Sequence, residues 1–156
     1  MEIMSDKKSL FQAIDAQRDT LCSMADQIFD NPEYEGEEVF ASGLLTDYLI
    51  ANGFDVQMGV GGFKTAFRAT YSHGEGGPVI GILCEYDALR NLGHGCGHHM
   101  QGPGCLGAAV ALKNLDTDKP FQLVVYGTPA EETFGSKVQM IQNGCFKELD
   151  VALMMH

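Results

Sequence analysis

Val79-Ile80-Gly81-Ile82-Leu83-Cys84-Glu85-Tyr86-Asp87 is an apolar run that ends abruptly on acid. A short, uninterrupted run of this kind reads as a strand buried on both faces. Two similar runs follow, Phe121–Tyr126 and Val151–Met155, each separated from the last by a helical segment. From Gly102 to about Leu115, residues Cys105, Ala108, Ala109 and Leu112 recur at i, i+3, i+4 and i+7. Ser136 reads as the cap of a second helix running to Asn143 and closed by Gly144. Strand and helix in strict alternation imply right-handed crossovers between parallel strands, hence an α/β sandwich. Upstream, Leu10, Ile14, Leu21, Met24 and Ile28 predict one helix from Ser5 to about Asp30. Asn31-Pro32 ends it, because the residue before proline avoids the α region. A helix from about Gly36 with Gly53 at its C′ position comes next. Strands at Phe54–Val60 and Thr65–Tyr71 then meet through Gly61-Gly62, and His73–Gly77 reads as a loop with His73 in solvent.

At 156 residues and 45% hydrophobic content, one domain with a real core is expected. The formal net charge of −11 argues against nucleic acid or an anionic membrane as partner. No apolar run is long enough to span a bilayer, and the N-terminus lacks the apolar core of a signal peptide. Five scattered cysteines, an odd number, do not form a disulfide framework. They place the chain in the reducing cytoplasm, with Cys22, Cys84, Cys105 and Cys145 read as buried small apolar residues.

The chemistry gathers where the strands end. Asp87 follows the first parallel strand, Glu131-Glu132 the second and His156 the third. Parallel strands share one C-terminal edge, where open α/β sheets place their ligands. Onto that edge comes Gly93-His94-Gly95-Cys96-Gly97-His98-His99, a thiol and several imidazoles on a glycine-rich loop. Cys96 and His98 suit a zinc ion, or manganese where carboxylates dominate, but a glycine-rich turn with an incidental thiol fits equally. Glu131-Glu132 offers one carboxylate to a metal and one to a water as general base, or is simply a solvated acidic pair. Asp87 either orients a ligand or ends a strand, and His156 is either a ligand or a tail residue. His94 and His99 are outer contacts or plain loop residues. Glu85 is ambiguous, and Arg90 and Lys137 meet a substrate carboxylate or are surface charges.

Four elements in order, Glu85-Tyr86-Asp87-Ala88-Leu89, Gly93–His98, Gly127-Thr128-Pro129-Ala130-Glu131-Glu132 and Met154-Met155-His156, resemble the metal-dependent amidohydrolase and peptidase family. This is the family of aminoacylases, auxin-conjugate hydrolases and p-aminobenzoyl-glutamate hydrolase. The resemblance covers essentially the whole chain, with Arg90 and His99 departing from the usual wording. It implies a three-layer α/β sandwich with a mixed, mostly parallel, zinc-peptidase-like sheet. It also implies that residues 1–156 are the N-terminal part of a catalytic domain, truncated before the lid-like dimerisation domain. Carried over by motif, Cys96, His98, Glu132 and His156 are metal ligands, Glu131 the general base and proton shuttle, and Asp87 the orienting carboxylate. The implied cofactors are two divalent ions, zinc or manganese, in the intact enzyme, with one or none left in this chain. The implied substrate is an N-acyl or N-aroyl amino acid or a dipeptide, cut at its amide bond.

Truncation predicts that the isolated chain is inactive and that it self-associates through uncovered surfaces. A rival reading is a non-catalytic metal-binding or partner-dependent module of the same descent. A third is a cysteine hydrolase using Cys96 with His98 or His99, which thiol alkylation would inactivate and chelators would not.

Overall fold

The apolar run at 79–84 becomes a central strand, β3 (Val79–Cys84), with parallel partners on both sides. A computed structural model describes residues 2–156 of the chain. The partners of β3 are β4 (Phe121–Gly127) and β5 (Val151–Leu153). Upstream lie β1 (Asp55–Met58) and β2 (Phe67–His73), and the sheet order is β1-β2-β4-β3-β5. Strand β2 pairs antiparallel with both β1 and β4, so it alone runs against the others. The sheet is therefore mixed, as expected.

Alternation along the central strands divides the core into two layers. On β4, Leu123 and Val125 face one cluster, whereas Val124 and Tyr126 face the other. The larger cluster takes Met24 and Ile28 from α2 (Arg18–Asp30) and Leu45 and Leu49 from α3 (Val39–Ala51). It also takes Cys105, Leu106, Ala109 and Val110 from α4 (His98–Lys113). Across the sheet, Met140 of α6 (Ser136–Gln142) packs with Val60 and Ala66. A single turn, α5 (Glu131–Phe134), precedes α6. Helices on both faces make the three-layer sandwich.

Several local expectations are corrected. The N-terminal helix is two helices, α1 (Glu2–Asp15) and α2, parted at Ala16-Gln17. Gln17 donates from Nε2 to the Ala13 carbonyl at 2.8 Å and accepts the Tyr48 phenol, so contacts to α3 override the helical period. Helix α4 begins at His98 rather than Gly102. A Cβ at Gly102 would stand 3.2 Å from Leu45 and 3.4 Å from the Glu85 carbonyl. Glycine lets the helix pass that close. Ser136 is not the cap of α6, since Gly135, at φ 58°, takes that place and Ser136 is the first helical residue. Strand β5 is short and exposed instead of buried, because no strand covers its outer edge among the described residues. His73 is no solvent residue: its Nε2 lies 2.9 Å from the Thr117 carbonyl and its ring stacks on Phe121. Cys22 is exposed and Cys145 half-buried, while Cys84 and Cys105 are buried as expected.

Candidate active site

Four chain segments meet at the C-terminal edge of β3, β4 and β5. His98 arrives from the loop because Gly97 adopts φ 87°, the left-handed region open to glycine, and turns the chain into α4. The His98 ring is 1% exposed. Its Nδ1 lies 3.0 Å from the Asp87 carbonyl and 3.1 Å from Asp87 Oδ1. A proton held on Nδ1 by these acceptors leaves the lone pair on Nε2. That nitrogen faces Glu85 Oε2 at 3.3 Å, Glu132 Oε1 at 3.5 Å and His156 Nε2 at 3.3 Å. Burial lowers the basicity of the ring, but Asp87 and Glu85 more than offset it and the net shift is upward.

Asp87 works in two directions. Oδ1 meets the imidazole, while Oδ2 accepts the Glu132 N–H at 3.0 Å. Burial raises its carboxyl, yet these two contacts hold it below the usual range. Strand alternation sends Glu85 the same way as Asp87, with Tyr86 buried in the core between them. Glu85 is itself buried, and accepts Gln101 Nε2 at 2.8 Å and the Lys137 ammonium. Gln101 also donates to the Met155 carbonyl at 2.7 Å, tying the end of β5 to the site. Lys137 Nζ is 2.6 Å from Glu131 Oε2, so it links the two acidic elements.

Of the residues singled out from sequence, Asp87, His98, Glu132 and His156 come together. Glu131 lies beside them on Lys137, and Cys96 is exposed beside the Glu132 carboxylate, which with some desolvation pushes the thiol up to about 11. A nucleophilic cysteine needs the opposite shift, toward the thiolate. Arg90 pairs with Glu35 at 2.8 Å over the Tyr34 ring and is a surface charge. His94 and His99 pack against each other with rings tilted by 55° and centroids 5.3 Å apart, and His99 packs on Phe29. Burial lowers His94 to about 4, keeping it neutral.

The residues missed are Glu85, left ambiguous, and Gln101. Both had a signal: Glu85 ends the buried strand just as Asp87 does, and Gln101 is three positions after His98 on one helix face. The donor set suits a divalent cation. Glu85, His98 and His156 offer ligand atoms all within 4.8 Å of one another, with Glu132 adjacent. Two imidazole nitrogens facing each other among carboxylates are what a cation between them satisfies.

The profile of Peptidase family M20/M25/M40 matches residues 83–156, the segment that carries every one of these groups. A p-aminobenzoyl-glutamate hydrolase subunit of Escherichia coli is 36% identical, over 92% of this chain and 34% of that protein. The Xaa-Arg dipeptidase of Mus musculus is 37% identical, over 96% of this chain and 38% of that protein. A dinuclear metal-binding peptidase of the M20 family from Bacillus subtilis has the same fold, with a TM-score of 0.71 at 18% identity, covering 91% of this chain and 44% of that one. Residues 83–156 are a Peptidase M20 domain. The chain spans about a third of the length of the two curated relatives.

Proposed function

We propose that residues 1–156 form the N-terminal part of a metallohydrolase catalytic domain. In a polypeptide of relative-like length, that domain hydrolyses the amide bond of an N-acyl or N-aroyl amino acid or a dipeptide. The observation that carries this reading is the His98 ring, fixed by Asp87 on one nitrogen and turned by the other into a nest of Glu85, Glu132 and His156. Cys96, His98, Glu132 and His156 would hold two divalent ions, zinc or manganese, with Glu85 as a further carboxylate within reach. Bound ions of this kind polarise a carbonyl and make water easier to deprotonate. Glu131 accepts the proton of the attacking water on a carboxylate oxygen and delivers it to the leaving amine nitrogen. Lys137 sets the Glu131 carboxylate in place, and Asp87 keeps the His98 lone pair aimed at the cluster.

Since the chain spans only part of its relatives' length, the 156-residue chain alone is expected to show little turnover and one ion or none. Five free thiols fit a reducing compartment such as the cytoplasm. No helix among the described residues is long and apolar enough to cross a membrane. The half-exposed β5 edge supports self-association.

The test is hydrolysis of p-aminobenzoyl-glutamate, hippurate-type conjugates and Xaa-Arg dipeptides by the longer polypeptide. Turnover abolished by a chelator and restored by zinc or manganese is expected. Turnover indifferent to chelators but lost on thiol alkylation would overturn the reading in favour of Cys96 chemistry. Tight metal binding without hydrolysis of any amide would leave only a binding module.

A further inference from the structure

A carboxylate shut away from water persists only where its oxygens are well supplied with hydrogen bonds. Glu38 is fully buried and stands outside the cluster described above. Its Oε1 accepts the N–H of Gly36 at 2.8 Å and the N–H of Ala130 at 2.9 Å. Its Oε2 accepts the Thr65 hydroxyl at 2.8 Å. Two of these partners lead into the site. Ala130 sits at φ 55°, ψ 36° immediately before Glu131, a left-handed conformation strained for a non-glycine residue. Thr65 accepts the Tyr86 phenol on its carbonyl at 2.8 Å, and Tyr86 lies between Glu85 and Asp87. The same stretch of chain holds the other rim as well. The Glu33 carbonyl accepts the Ala88 N–H at 2.8 Å, while its carboxylate takes the N–H groups of Phe40 and Ala41 at the start of α3.

We propose that Glu38 is a positioning residue for the Glu131-Glu132 corner. By accepting the Ala130 N–H it holds Ala130 in the left-handed conformation that aims Glu131 at Lys137 and Glu132 at His98. The functional consequence rests on the metal-site reading; the hold on Ala130 does not.

The experiment compares wild type with Glu38→Ala, Glu38→Gln and Met24→Ala, the last being a buried core residue remote from this corner. Amide hydrogen exchange at Ala130 reads the hold directly, and Co²⁺ titration of the longer polypeptide reads its consequence. Glu38→Ala is expected to speed Ala130 exchange about 100-fold and to weaken Co²⁺ binding about 10–100-fold. Glu38→Gln keeps a carbonyl acceptor and is expected to restore both. Met24→Ala is expected to lower Tm without changing Co²⁺ affinity. Where Glu38→Ala does not fold, Glu38→Asp keeps the charge, shortens the reach and is expected to speed Ala130 exchange in the same sense. Ala130 exchange raised no more by Glu38→Ala, or by Glu38→Asp where the alanine variant does not fold, than by Met24→Ala overturns the proposal. A longer polypeptide of wild-type sequence that binds no Co²⁺ overturns the metal-site reading instead, and the exchange data still decide the role of Glu38.

Discussion

Asp87 Oδ1 stands 3.1 Å from Nδ1 of His98, and this contact dictates which ring nitrogen faces the acidic cluster. Contacts of this kind behind a ligand raise its basicity and lock its tautomer, typically to the extent of about 10–100-fold in metal affinity. Asp87→Ala removes the carboxylate contact to the imidazole, leaving only the backbone carbonyl, together with the acceptor for the Glu132 N–H. Zinc affinity, measured by competition with a chromophoric chelator, is expected to fall by about that factor. Unchanged affinity would show that His98 needs no orienting carboxylate.

Glu131 and Glu132 are neighbours with different partners, Lys137 for one and His98 for the other. In the longer polypeptide, Glu131→Gln is expected to lower kcat by about 10²–10⁴-fold with the metal content intact. Glu132→Gln is expected to lower the metal content itself, seen by elemental analysis of the purified protein. Retained turnover in Glu131→Gln removes it as the base.

Far from the site, Arg68 grips Glu148, whose other partner is the Tyr126 phenol at 2.7 Å. Arg68 and then Tyr126 hold the Glu148 carboxyl below its usual range, against the opposing effect of burial. A carboxyl depressed by folding stabilises above its ordinary pKa, and that stability drains away as pH falls through the depressed value. Both side chains are about a third exposed, which limits the effect to about 1 kcal/mol or less. The Tm gap between wild type and Glu148→Gln is therefore expected to be small at neutral pH and to close as the solution is acidified. A gap that widens in acid contradicts the assignment.

Leu106 is fully buried where α4 meets the sheet. Leu106→Ala leaves a cavity there and is expected to cost about 2–5 kcal/mol, read from urea unfolding midpoints at constant m. A loss well under about 1 kcal/mol would mean that the helix layer repacks around the gap.

The outer edge of β5 is unpaired among the described residues, and Leu153, Met154 and Met155 are each about half exposed. Sedimentation velocity is expected to show concentration-dependent association of the chain, which Leu153→Lys suppresses by charging the edge. A single monomeric species at the highest attainable concentration would dismiss this surface as a self-contact.

Much of this was legible in the residues, because strands and helices announce themselves by local periodicity. The runs at 79–84 and 121–126 could only be strands buried on both faces, so their acidic ends had to share one rim. That put Asp87, Glu131-Glu132 and His156 on one edge, whereas their roles, and those of Cys96 and His98, came from the family resemblance. Periodicity says nothing, however, about which distant group a side chain meets. The break at Gln17 depends on Tyr48, and the early start of α4 on the space that Gly102 leaves beside Leu45. Glu85 looks like any strand-ending acid until Gln101 and Lys137 close over it, and Glu38 looks like surface charge until Ala130 donates to it. Hydrogen bonds to buried carboxylates span dozens of residues and leave no periodic trace, so it took the folded chain to reveal them.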